Sequence, residues 1–148
     1  MTEKESNDTF YVCTLIEVIG RKTKNHRSLI AARLGVDEIK RQLDLAEVNH
    51  CLSFEQVSDE LIEEFQITEG DFDTVAECKY NVPSEQDIGK DYLNLVEDTI
   101  GDGEAIEQVI MNVFSSFISD EISDFNTSTY YSNPNYLKMS YLEGNLLE

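Results

Sequence analysis

A histidine and a cysteine stand side by side at His50 and Cys51. A cysteine becomes an activated nucleophile when an imidazole lies within hydrogen-bond reach of its thiol and a third group orients that imidazole. Neighbours in sequence rarely adopt this geometry, and the chain offers no identifiable orienting group. We therefore interpret His50 as a capping or core-edge residue.

The acidic residues allow a second kind of chemistry, metal binding. Asp71 and Asp73 have the spacing of the first two ligands of a calcium loop, but Val75 stands where the next oxygen ligand is needed and no glycine follows at the required place. The acids of segment 120–124 have no histidine nearby and are typical of a solvated helix face. The glycine-rich and nucleophile motifs of common enzymes are also missing. The sequence therefore predicts no catalytic, metal or cofactor site, and no enzyme.

Charge is the strongest signal, since the chain of 148 residues carries a formal net charge of −19. Seven of its eleven basic residues fall between positions 21 and 41. They are Arg21, Lys22, Lys24, Arg27, Arg33, Lys40 and Arg41. That window holds only Asp37 and Glu38 as acids, so it is +5 and the remainder is −24. This distribution predicts one positive patch on a negative body.

Segment 28–39 is similar to the first helix and turn of a helix-turn-helix DNA reader. Ala31 or Ala32 would allow close approach of two helices, and Gly35 would make the turn. However, Arg41 occupies a position where the second helix needs an apolar residue, and the acidic chain repels nucleic acid in general. A structural turn is therefore favoured, and a nucleic-acid-binding regulator remains the alternative.

Tyrosines near the C-terminus are candidate interaction residues. Tyr130, Tyr131, Tyr136 and Tyr141 lie among Asn and Ser, and a tyrosine offers an apolar ring with a polar tip that suits interfaces. The competing interpretation is that these rings pack the last helix onto the bundle.

Cys13, Cys51 and Cys78 form no CxxC pair, and three thiols cannot all pair with one another. Residues 1–8 are polar and acidic, unlike a secretory signal, and no apolar run approaches the length of a membrane span. We therefore expect free thiols, a cytoplasmic location and no membrane association.

Helical spacing of apolar residues, with capping residues and glycine stops between, predicts a single all-α domain over residues 9–148. Residues 1–8 are expected to be a disordered tail. The predicted helices cover 9–22, 28–34, 37–50, a segment from Ser53, 84–99, 104–125, and a segment from Pro134 that ends at Gly144. The β-branched residues of 9–22 also permit a strand there. The helix over 104–125 is expected to be the longest and to lie at the centre. The predicted architecture is a bundle of six or seven helices with short loops.

Three stretches carry a resemblance to a known family: residues 11–25 (YVCTLIEVIGRKTKN), residues 46–59 (AEVNHCLSFEQVSD), and Asp124-Phe-Asn126 with the tyrosines before Asn133-Pro134. Here the chain resembles a poorly characterised family of small acidic bacterial proteins. The resemblance implies genes encoded beside ADP-ribosyltransferase-like toxin candidates, and hence an antitoxin or accessory role. It assigns no site residue.

Three functions are compatible with these observations. The first is a non-enzymatic binding protein, antitoxin-like or accessory, whose −24 body recognises a partner with a basic surface. The second is the helix-turn-helix-like regulator that uses segment 21–41. The third is an acidic mimic of DNA that inhibits a nucleic-acid enzyme.

Overall fold

The computed structural model describes residues 1–148, and all of its regular elements are helical. The elements are α1 (Glu3–Thr23), α2 (Arg27–Asn49), α3 (Phe54–Glu64), α4 (Glu85–Thr99), α5 (Ile106–Ser115), α6 (Ile118–Ser123), a 3₁₀ turn (Thr129–Tyr131) and α7 (Pro134–Glu143). The predicted all-α bundle of six or seven helices is confirmed. A membrane could not be crossed by any of these helices, because none combines the necessary length with the necessary apolarity.

Four helices form the body of the bundle. α1 packs against α2 and α4, and α5 closes the group by packing against the same two helices. The smaller helices pack on the outside of this group: α3 packs against α1, α7 packs against α4, and α6 packs against both α5 and α2. A contiguous apolar core of 27 buried residues fills the space between them. The most central helix is α1, whose residues from Tyr11 to Gly20 are all buried. The expectation that segment 104–125 is the central helix is therefore wrong.

α1 also begins earlier than its apolar pattern indicates. The Thr2 hydroxyl accepts a hydrogen bond from the Glu5 backbone N–H, and the Glu5 carboxylate accepts one from the Thr2 N–H. This reciprocal capping box satisfies two N–H groups that have no partner inside the helix. The expected disordered tail over residues 1–8 is therefore wrong for residues 3–8, which form the first turns of α1.

Other helices begin and end at the capping residues and glycine that the sequence indicates. Ser53 and Ser84 accept from the backbone N–H three residues on, and Asn133 caps α7 directly before a proline. Gly144 ends α7 in the left-handed conformation with φ 91°. Within α2, only Gly35 leaves helical geometry, with φ 81° and ψ 164°. The predicted interruption of the helix at Gly35 is confirmed.

The predicted helix over 104–125 is divided into α5 and α6. Ser116 has an extended backbone, with φ −83° and ψ 169°. Its hydroxyl donates to the Val113 carbonyl oxygen at 2.7 Å and accepts from the Ile118 N–H at 3.3 Å. A serine side chain that bonds the local backbone on both sides competes with the helical ladder, so the chain turns here and α6 starts afresh.

Candidate interaction site, an acidic cleft

Arg27 is fully buried, although the sequence placed it in a surface patch. Its Nε and Nη2 atoms donate to the two carboxylate oxygens of Glu17, each at 2.9 Å. Nη1 donates to the Asn25 carbonyl oxygen at 2.9 Å, and Nη2 also donates to the Thr74 hydroxyl at 3.0 Å. Burial alone lowers the pKa of Arg27, but the hydrogen bonds and charge of Glu17 outweigh it, so the pKa is raised. Arg27 therefore joins α1, α2 and the loop before α4, and its burial corrects the prediction that it contacts a partner.

The other basic residues of segment 21–41 are also engaged within the chain. Their partners are Glu17 and the Pro83 carbonyl for Arg21, Asp59 for Lys22, Glu69 for Lys24, the Phe65 and Gln66 carbonyls for Arg33, Asp44 for Lys40, and Glu38 for Arg41. Six of the seven cations thus face a carboxylate of the same molecule. The segment does not form the free positive patch that the charge distribution predicted.

The helix-turn-helix interpretation loses its geometric support for a related reason. In that motif a turn of three or four residues separates two helices. Here α2 is interrupted at Gly35 alone. The cation nearest to the proposed turn, Arg33, donates to the loop after α3 rather than lying free for a phosphate.

A cleft of 340 Å³ opens beside the buried Arg27, between segment 71–77 of the loop after α3 and segment 120–126 at the end of α6. Asn126 joins the two walls, since its amide donates to the Glu77 carbonyl oxygen at 2.9 Å and accepts from the Lys79 N–H at 2.8 Å. The loop is held to the end of α1 by the Gly70 N–H, which donates to the Thr23 carbonyl oxygen at 2.8 Å. The walls of the cleft are therefore held by the Asn126 side chain and by a backbone hydrogen bond to the end of α1.

Five carboxylates line this acidic cleft: Asp71, Asp73, Glu77, Asp120 and Asp124. Lys24 lies 3.9 Å from Asp73, and His26 lies 2.8 Å from Asp120. The remaining three carboxylates have no lysine, arginine or histidine side chain within 4.0 Å. The cleft thus concentrates negative charge that the protein itself does not compensate.

Aromatic rings and one hydroxyl complete the cleft. Phe72 and Phe125 contribute one ring to each wall. The ring of His26 stacks on Phe72, with 3.8 Å between ring centres, and so supports that wall from outside. Ser123 also lines the cleft; it is 1% exposed, and its hydroxyl has no hydrogen-bond partner. Because buried hydroxyls are usually hydrogen-bonded, Ser123 offers an unused donor and acceptor here.

In comparisons with known proteins, no family model, no curated protein and no solved structure matches this chain. The family resemblance stays a prediction.

The candidate tyrosines are divided between packing and exposure. Tyr130 is half-buried and meets Phe125 edge-on at 5.8 Å, while Tyr136 donates its hydroxyl to the Leu147 carbonyl oxygen. Tyr141 is half-buried against the core. Only Tyr131, 69% exposed, presents most of its surface to a partner.

The residues considered for chemistry lie apart from the cleft, except for Asp71, Asp73 and the acids of segment 120–124. Cys51 is exposed, and neither its thiol nor the His50 ring makes a side-chain hydrogen bond. No three His, Cys, Asp or Glu side chains are arranged so that they could hold a metal ion.

Sequence reasoning missed the cleft as a site, yet a signal for it was present. Asp71-Phe-Asp73 and Asp124-Phe-Asn126 repeat the order acid, phenylalanine, acid or amide. The fold places the two triplets face to face across the cleft.

Proposed function

We propose that this protein is a non-enzymatic binding protein whose acidic cleft recognises a cationic segment of a protein partner. The observation that carries the proposal is the internal neutralisation of the cations. Seven of the eleven basic side chains lie within 4.0 Å of a carboxylate. The acidic excess is therefore left to face outward.

The number of acidic side chains without a basic neighbour also supports the proposed recognition of a cationic partner. Ten of the thirty acidic side chains lie within 4.0 Å of a lysine, arginine or histidine nitrogen, which leaves twenty without one. Lys79, Lys90 and Lys138 are the basic residues whose side chains form neither an ion pair nor a hydrogen bond. A field of one sign attracts oppositely charged partners and speeds their association at low ionic strength.

The chemistry of the cleft favours arginine over other cationic side chains. A guanidinium donates two parallel hydrogen bonds to a carboxylate and also stacks on aromatic rings. Asp71 and Asp124 supply the carboxylates and Phe72 supplies a partly exposed ring within one cleft. The ring of Phe125 is buried, with the Arg21 guanidinium of the same chain 5.0 Å from its centre. The unpartnered Ser123 hydroxyl adds an acceptor for a further N–H. We therefore expect an arginine-containing segment as the occupant.

The partner's identity rests on the resemblance described above. Small acidic proteins encoded beside ADP-ribosyltransferase-like toxin candidates suit an antitoxin or accessory role in the cytoplasm. In that setting, the basic partner is the product of the neighbouring gene.

Co-expression with the neighbouring gene product, followed by size-exclusion chromatography at low salt, tests the association. We expect one joint peak that separates as the salt concentration rises, because exposed charges are screened beyond about 10 Å at 0.1 M. Two separate peaks at low salt would contradict the proposal.

A matched pair of variants tests the cleft itself. In the first, Asp71→Asn, Glu77→Gln and Asp124→Asn remove three unpaired carboxylates from the cleft. In the second, Glu60→Gln, Glu63→Gln and Glu64→Gln remove three exposed carboxylates from α3. Both variants change the net charge equally. We expect the dissociation constant to rise on the order of tenfold or more for the cleft variant and much less for the α3 variant. Equal effects would show general electrostatic attraction without a site.

An acidic mimic of DNA is the second candidate, because twenty carboxylates without cationic neighbours also suit an enzyme with a basic nucleic-acid groove. Competition decides between the two. Duplex DNA added to the complex displaces a mimic from its partner, whereas it leaves a complex at an unrelated surface intact.

A further inference from the structure

A second and larger opening lies at the other end of α1. It is a groove of 810 Å³ between the first turns of α1, the end of α2 and the beginnings of α3 and α4. Its lining includes Phe10, Tyr11, Thr14, Ala46, His50 and Phe54. It shares no residue with the acidic cleft. The volume falls within the roughly 300–1,000 Å³ of pockets that hold small molecules.

Tyr11 carries the first indication of a ligand. It is 7% exposed and its ring stacks on Phe54 with 5.1 Å between ring centres, yet its hydroxyl has no hydrogen-bond partner. Burial raises the pKa of Tyr11, so the hydroxyl keeps its proton at neutral pH and can both donate and accept. Since a buried hydroxyl without a partner destabilises the fold, this one indicates a group that is bound in use.

The charges around the groove restrict the kind of ligand. Glu3, Asp8 and Glu47 line it, and Lys4 is the only lysine or arginine among the lining residues. The Lys4 ammonium lies 2.7 Å from Asp8 and 4.0 Å from Glu47, so it is already compensated. The rim therefore repels a free anion and attracts a cation.

We propose that this groove binds a small aromatic amine. The ring of the ligand packs against Phe10 and Phe54, its ammonium group faces the carboxylates of Glu3 and Glu47, and a polar ring substituent bonds the Tyr11 hydroxyl. Apolar walls with a few polar groups are the usual composition of such a pocket. The inference does not depend on the proposed protein partner, because it concerns different residues at the opposite end of α1.

Three probes with one ring and different charges test the proposal by isothermal titration calorimetry. Tyramine carries a phenol and an ammonium group, 4-ethylphenol lacks the charge, and 4-hydroxyphenylacetate replaces it with a carboxylate. We expect tyramine to bind most tightly, 4-ethylphenol more weakly, and the carboxylate not at all. Absence of tyramine binding below about 5 mM would overturn the proposal, and so would equal binding of the anionic probe.

Two variants locate the binding. Tyr11→Phe keeps the ring and its packing on Phe54 but removes the hydroxyl, and Glu47→Gln removes one carboxylate of the rim. We expect each to weaken tyramine binding about fivefold to tenfold, with an unchanged thermal midpoint showing that the fold persists. Asp71→Asn in the acidic cleft serves as the control and leaves tyramine binding unchanged. If Asp71→Asn weakens the binding and neither groove variant does, the amine occupies the cleft and the groove is not its site.

Discussion

The buried polar side chains of helix α1 itself differ between its two ends. Towards the C-terminal end, Glu17 and Thr23 are hydrogen-bonded within the protein, Glu17 to Arg27 at the start of α2. At the N-terminal end, the hydroxyls of Thr9 and Tyr11 are buried without a partner. Both ends lie beside an opening in the surface, so exposure does not explain the difference.

This contrast separates a supporting structure from a binding structure. A fully bonded buried network fixes the side chains and loops around it, and removal of one member leaves the others unsatisfied. The Glu17–Arg27 pair thus stabilises the walls of the acidic cleft without contacting a partner. The hydroxyl of Tyr11 has the opposite character, because its hydrogen-bonding capacity remains free for a ligand.

Arg27→Met should produce the largest effect. It keeps much of the side-chain volume but leaves Glu17 buried with one cation fewer, so we expect a loss of about 3–5 kcal/mol in the free energy of unfolding. Urea unfolding followed by circular dichroism measures it. The double variant Glu17→Gln/Arg27→Met should lose less than the single one, since no buried carboxylate is then left short of a cation and Arg21 keeps the Pro83 carbonyl oxygen and, at 4.0 Å, Glu85. A double variant that is less stable than Arg27→Met would contradict the assignment of Glu17 and Arg27 as one buried pair.

The second prediction concerns Asp91, a largely buried carboxyl on α4. Burial raises its pKa to about 8 from the ordinary 3.8, and the nearby charges of Asp87 and Glu17 act in the same direction. One of its oxygens has no hydrogen-bond partner. Between pH 4 and 8, the folded protein holds a proton that the unfolded chain has released, so this group makes stability fall as the pH rises.

Asp91→Asn should remove that contribution. We expect the variant to exceed the parent protein by about 1–3 kcal/mol at pH 8 and to differ little from it at pH 4. Urea unfolding at several pH values measures the free energy of unfolding of both proteins. Subtracting one from the other removes the contribution of the other carboxylates, which titrate alike in both. Asp98→Asn, exposed on the same helix, should show a constant difference across this range. Parallel profiles for Asp91→Asn and its parent would refute the raised pKa.

The fold could be predicted largely from local signals. The caps at Ser53, Ser84 and Asn133 and the stop at Gly144 depend on residues within a few positions of one another, and they set the helix ends as expected. The break at Ser116 was missed because serine is tolerated inside helices. Its effect depends on hydrogen bonds to Val113 and Ile118 that spacing alone does not reveal.

The candidate site could not be predicted in the same way, since its parts are distant in sequence. Arg27 and Thr74 are 47 positions apart, and Asn126 contacts Glu77 across 49 positions. A count of charges along the chain therefore assigned a positive surface to segment 21–41, whereas folding brings acids to those cations. Composition gives the sign of the net charge, but only the tertiary structure shows where carboxylates without a basic neighbour lie together.

The third prediction compares two hydroxyls directly. Thr74→Val removes the acceptor of the Arg27 Nη2 atom and should cost about 1–3 kcal/mol in the free energy of unfolding, because a buried charged donor loses its partner. Tyr11→Phe removes a hydroxyl that bonds nothing, so we expect stability to be unchanged or slightly higher. Urea unfolding at the same pH measures both. A larger loss for Tyr11→Phe would show that its hydroxyl has a partner in the free protein.

The smallest effect concerns rates of thiol modification. Cys51 is exposed, whereas Cys13 is fully buried in α1, and burial raises the pKa of its thiol, which suppresses the reactive thiolate. With a colorimetric disulfide reagent under native conditions, we expect Cys51 to react quickly and Cys13 only when α1 separates from the bundle. Cys13 lies between the two ends of α1, so its rate reports which end opens. If Arg27→Met accelerates its labelling far more than Tyr11→Phe does, the C-terminal end holds α1 in place; equal acceleration would mean that the two ends do not differ in this respect.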